Sequence, residues 1–144
     1  MANHKPVATT ATFCDGVKLN EAGDAIDSVV KPFTAATVNI EGLPQDATRA
    51  AFSTHFCVVI ECSPGKHTKQ MRFLNPRDEQ LAIARLETVE IEAEMGGMVL
   101  TERRDLPVDP RLPGRYHLEV AVDGDLIVRV PLDVSFQGAP SSPN

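Results

Sequence analysis

"RYHLEVAVDGDLIVRVPLDV", residues Arg115 to Val134, decides the fold. Tyr116, Leu118, Val120 and Val122 alternate with His117, Glu119, Ala121 and Asp123, the period of two that sends one set of side chains inward and the other outward. Leu126, Val128, Val130, Leu132, Val134 and Phe136 repeat the pattern on a second arm, with Arg129, Pro131, Asp133 and Ser135 on its other side. Between the arms, Asp123-Gly124 supplies residues that tolerate positive φ, so the stretch is predicted to be a β-hairpin closed by a tight turn. Pro131 has no N–H for a ladder, which places its strand at a sheet edge or at a bulge.

Shorter signals of the same kind run upstream, each bounded by turn residues. Val7 to Cys14 ends at Asp15-Gly16, the segment from Val17 to Val30 turns near Gly23, and Thr34 to Gly42 puts Val38 and Ile40 on one face. In "AFSTHFCVVIEC", Ala51 to Cys62, Phe52, Phe56, Val58, Ile60 and Cys62 oppose Ser53, His55, Cys57, Val59 and Glu61. Further strands are expected in Thr68–Leu74, Arg85–Met95 and Gly97–Val108, the last followed by several prolines ahead of Pro113-Gly114. Pro76 to Glu87 is compatible with a helical connector of about two to three turns. Many short strands joined by Gly, Pro and Asp turns predict an all-β chain, an antiparallel β-sandwich of about seven to nine strands with at most one short helix. Residues 1–5 are expected to be an N-terminal arm, 6–137 a single sandwich domain, and 138–144 a flexible Pro/Ser tail.

The ending "LPGRYHLEVAVDGDLIVRVPLDVSF", Leu112 to Phe136, resembles the closing hairpin of many immunoglobulin-like modules, in which Pro-Gly-x-Tyr opens the penultimate strand. Together with "ATFCDGVKLNEAGDAIDSVVKPFTAATVNIEG", Ala11 to Gly42, it is similar to an uncharacterised bacterial and phage family of single-domain sandwich proteins. The resemblance implies an immunoglobulin-like fold and carries over no catalytic residue. The chain has no Trp, which sets it apart from the antibody-type subgroup with its buried Trp beside a disulfide.

The 144 residues carry a net charge of −6 and no Lys/Arg run, so no nucleic-acid partner is expected. Three Cys suit free thiols in a reducing compartment. The N-terminus lacks the apolar core of a signal peptide, and no apolar stretch approaches the roughly 20 residues of a membrane span, so a cytoplasmic location or incorporation in a phage particle is expected.

Candidate sites are few. Cys57 has His55 two residues away on one strand face, the best local nucleophile and base pair, yet i and i+2 side chains stand about 6–7 Å apart and no glycine-rich turn offers an oxyanion hole. Cys62 falls on the opposite face, and His4, His67 and His117 are scattered, so neither a metal nor another cofactor is expected. Glu90, Glu92 and Glu94 form a row that reads as a solvated face opposite Lys69 and Arg72 rather than a Ca²⁺ site. "TERRDLPVDPRLPGR", Thr101 to Arg115, reads as an Arg- and Pro-rich loop. Arg is favoured at interfaces, so Arg103, Arg104, Asp105, Arg111 and Arg115 are the candidate partner-binding residues, with an ordinary rigid connector as the plain alternative.

These readings point to a non-enzymatic sandwich protein that works through protein–protein contact or self-association, as a structural or accessory subunit of a larger assembly, a phage-related one being one setting, or as an intracellular adaptor. An intracellular small-ligand carrier is the alternative. A thiol hydrolase using Cys57 and His55 is the third.

Overall fold

The computed structural model describes residues 5–22, 26–83, 86–93 and 96–138. Eleven strands follow one another: β1 (Val7–Cys14), β2 (Gly16–Leu19), β3 (Ile26–Val30), β4 (Ala35–Asn39), β5 (Ala50–Glu61), β6 (Gly65–Leu74), β7 (Gln80–Ile83), β8 (Glu87–Ile91), β9 (Gly97–Val108), β10 (Gly114–Val122) and β11 (Asp125–Gln137). Nine of them form two layers, a three-stranded sheet in the order β1-β5-β9 and a six-stranded sheet in the order β4-β11-β10-β6-β7 with β8 also on β6. β2 and β3 pair only with each other, as a separate hairpin. No described residue is helical, and the stretch from Pro76 that could have been a helix holds strand β7 instead. Its local pattern was outweighed by pairing of Arg72, Phe73 and Leu74 with Ile83, Ala82 and Gln80.

The hairpin β10–β11 forms as its alternation dictates. Tyr116 faces Leu132 and Leu118 faces Val130 across the ladder, all four buried. Asp123 and Gly124 take φ of 53° and 83°, the pair of positive values of a type I′ turn, whose twist matches that of the strands. The register slips between Val120↔Val128 and Ala121↔Leu126, so Ile127 is an extra residue. That bulge reverses the face beyond it. Leu126, expected inside, is 52% exposed, while Ile127 packs against the core.

Pro131 sits where its missing donor does no harm. Asp133 gives its N–H to Thr34 at 2.7 Å, so alternate residues of β11 face β4, and the β4 ladder begins only at Asp133↔Ala35. Two residues earlier, Pro131 faces the same edge before any partner is present. The β4–β11 pair is parallel, the one departure from antiparallel pairing in the two layers.

The core is made by inward sets from both sheets: Phe13, Phe56, Val58, Ile60, Leu100 and Leu106 from one, Phe73, Tyr116, Leu118, Val120 and Leu132 from the other. Each such side chain contributes about 1.5–3 kcal/mol by leaving water. Tyr116 and Phe73 stack with ring centroids 5.6 Å apart. The Tyr116 hydroxyl accepts the Asp109 N–H at 2.9 Å and donates to the Leu112 carbonyl at 2.8 Å. This is the tyrosine corner of immunoglobulin-like sandwiches, and it satisfies backbone groups at the turn that carries the chain from one sheet to the other. The layers, the corner and the closing hairpin together make the fold immunoglobulin-like.

Candidate functional site

β1 and β5 run together from Val7↔Glu61 to Cys14↔His55, and there β1 leaves. At Asp15 the chain turns away, its N–H held by the Val30 carbonyl at 2.9 Å, and it returns at Phe33, whose N–H is accepted by the Phe13 carbonyl at 2.9 Å. β5 itself continues back to Ala50, paired on its other side with β9 throughout. The result is a cleft of about 430 Å³ where β1 has ended, bordered by Cys14, Asp15 and Phe33, by Ala35 to Thr37 of β4, by Phe52 to His55 of β5, and by Arg103 of β9. Phe33 and Phe52 meet edge to face across it, ring centroids 6.3 Å apart.

His55 lies on the cleft, and its Nε2 is 3.1 Å from Thr101 Oγ1. Cys57 does not reach the cleft. It is fully buried between neighbouring strands, and burial, with the nearby Cys14 adding to it, pushes its thiol up to about 11. A buried thiol of this kind is almost wholly protonated at neutral pH, the opposite of an activated nucleophile. Cys14 and Cys62 are also buried free thiols, both raised chiefly by burial. No group of three or more His, Cys, Asp or Glu able to hold a metal occurs among the described residues.

The segment Thr101 to Arg115 is not one loop: residues up to Val108 belong to β9, paired with β5 over their whole length. The strand expected over Gly97–Val108 forms with those bounds, Pro107 standing opposite Ala51. The segment's arginines are therefore dispersed. Arg103 stands opposite His55 and Asp105 opposite Ser53, both exposed, while Arg104 Nε makes a charge contact at 2.5 Å with Glu102 Oε1, a carboxylate oxygen without an aligned hydrogen bond. Arg111 folds back on Asp109, at 2.8 Å, within the turn. Arg115 pairs with Asp133 at 2.8 Å across the β10–β11 ladder. Of the five candidates, only Arg103 reaches the cleft.

Three arrangements had no clear signal in the sequence. Glu119, on the outward side of β10, is nonetheless buried, because Arg72 Nε at 2.5 Å and Arg129 Nε at 2.8 Å close over its two oxygens. Arg129 continues to Asp78 at 2.8 Å. His67 is held between Asp123 and the Ser63 carbonyl. The expected acidic row is shorter than its pattern: Lys66 stands opposite Glu90, Lys69 pairs with Glu87 at 3.4 Å, Arg72 goes to Glu119, and Glu94 lies outside the described residues. So do the turn at Gly23, the first four residues and the tail from residue 139.

No helix among the described residues is long and apolar enough to cross a membrane. No curated protein matches the sequence. Among solved structures, an immunoglobulin-like protein from Pseudomonas aeruginosa is similar over 93% of this chain and 99% of its own, with 10% identity and a TM-score of 0.43. A family described as a family of unknown function, DUF6941, matches residues 9–135, a span that takes in both the cleft and the closing hairpin, and the chain belongs to that family.

Proposed function

We propose that the protein is non-catalytic and acts by binding another protein, as a structural or accessory subunit of a larger assembly. The observation that carries this reading is the cleft at the end of β1, where, among the described residues, β5 from Ala50 to Thr54 has no strand paired on its β1 side and β4 has none paired on the side away from β11. Unpaired strand edges are the surfaces on which sheet proteins recruit other chains, and a protein that had no use for them would be expected to cover them. The buried, protonated state of Cys57 favours this reading over a thiol hydrolase. A phage-related particle is one setting for such a subunit, as the resemblance of the sequence implies.

A small-ligand carrier is the second reading, favoured by the cleft volume of about 430 Å³ with two phenyl rings in its lining. Sedimentation of the purified protein, alone and mixed with an extract of its source cells, separates the two. The contact role predicts a faster species that Arg103→Glu weakens. A monomer inert in both conditions, whose melting temperature rises with a small molecule, would replace it with the carrier.

A further inference from the structure

The backbone around the cleft says what kind of chain would fit. Because the Phe13 carbonyl accepts the Phe33 N–H on the edge away from β5, and backbone groups alternate sides along an extended strand, Cys14 faces β5 and its partner His55 faces β1. Ser53, two residues back, points its N–H and C=O to the same edge. That edge has no described strand beyond Cys14. Extended backbone is therefore offered one donor and one acceptor at a place where Phe33 and Phe52 supply an apolar wall.

Charge narrows the choice. Arg104, Arg111, Arg115, Arg72 and Arg129 each have a carboxylate at ion-pair distance, whereas Arg103, exposed, has none among the described residues. His55 and Arg103 stand opposite each other at the end where β1 departs, beside Asp15. On a chain of net charge −6, the unpaired Arg103 is a cationic spot next to an open strand edge and complements an acidic side chain.

We infer that the cleft takes an extended segment of a partner protein, added as a strand along the Ser53 edge of β5, with an apolar side chain against Phe33 and Phe52 and a glutamate or aspartate against Arg103 and His55. This rests on the contact role proposed above and gives it a ligand class. Main-chain hydrogen bonds supply affinity in such additions, and the alternate side chains supply selectivity.

The test uses the ¹⁵N-labelled full chain titrated with an acetylated octapeptide alternating valine and glutamate, and with the same peptide carrying lysine for glutamate. Expected are a shifted Ser53 amide that becomes slow to exchange with solvent, and preference for the glutamate peptide by about tenfold, one charged contact. Arg103→Glu, a surface change, inverts the preference. Ser53→Pro, which removes the edge donor, abolishes binding; should that variant fail to fold, Arg103→Glu alone decides. An unmoved Ser53 amide, or equal response to both peptides, overturns the inference. A dimer dispersed by Ser53→Pro also overturns it, since a second copy then fills the edge. Association with a source-cell extract that survives Ser53→Pro removes the cleft while the contact role stands; peptide binding without any such association removes the contact role and keeps the cleft.

Discussion

His67 and Asp123 are joined by a short hydrogen bond, with Nδ1 2.6 Å from Oδ2, while Nε2 lies 2.7 Å from the Ser63 carbonyl. Both ring nitrogens end on acceptors, an arrangement that the doubly protonated ring satisfies in full. Asp123 completes the arrangement by accepting the Thr68 N–H on Oδ1 at 2.9 Å and giving its own N–H to the Thr68 carbonyl at 2.8 Å. The start of β6 is thereby fastened to the turn of the closing hairpin.

A pH optimum follows from that pair. The hydrogen bond to Asp123, then that to Ser63, raises His67 above its ordinary 6.5, so its contribution is fully present below pH 6.5 and is lost as pH rises through the raised value. The hydrogen bond from His67, then that from Thr68, lowers Asp123 below 3.8, so its contribution is present above 3.8 and is lost as pH falls through the lowered value. Melting temperature between pH 3 and 9 should be highest between those two ordinary values. His67→Gln should flatten the alkaline limb, and Asp123→Asn, which keeps a side chain suited to positive φ, should remove about 1–2 kcal/mol near pH 6. An alkaline limb unchanged in His67→Gln contradicts the assignment.

Tyr116→Phe should cost about 1–3 kcal/mol, because it leaves the Asp109 N–H and the Leu112 carbonyl without their partner. The urea midpoint should fall at constant slope. The fold should persist, since the ring still packs on Phe73.

Glu119 has a side chain 6% exposed, against 48% for Arg72 and 39% for Arg129. Arg72→Ala or Arg129→Ala alone should cost about 1 kcal/mol, since one guanidinium still covers the carboxylate. Both together should cost about 3–5 kcal/mol, more than the sum, by leaving a buried charge unpaired. Adding Glu119→Gln should recover part of it. Additive losses in a denaturation cycle would show that water reaches Glu119.

Alkylation at pH 7.5 should leave all three cysteines unmodified until the chain unfolds. For Cys57, the rise from 9.0 to about 11 alone lowers the thiolate fraction by about a hundredfold. Rapid labelling of Cys57 in the folded protein would revive the hydrolase reading.

Much of this architecture can be read from local pattern. The Asp123-Gly124 turn and the inward set of β10 each depend on residues within a few positions of one another, and both hold in the structure, whereas Pro131 lies in an inner strand, β11, at a point where the β4 ladder has not yet begun. What escapes local reading is set by distant partners. Leu126 is turned out by a register slip against β10, and Glu119 is buried by arginines 47 residues earlier and ten later along the chain. Gln80–Ile83 becomes a strand because β6 offers it an edge. The cleft is the least legible feature, since it exists only because β1 stops one pair short of Thr54 while β5 runs on. Arg103 was visible as an arginine, but not as the one of its cluster beside an open edge.

The parallel union of β4 with β11 joins Ala35–Asn39 to Asp133–Gln137, so the six-stranded layer has both its early and its late strands side by side. During synthesis, β4 leaves the ribosome long before its neighbour exists, and the outer side of that layer stays unfinished until Asp133–Gln137 has emerged. Nascent chains halted before Asp133 would hold β4 without a mate, and they would depend on chaperones far more than chains released only a few residues later.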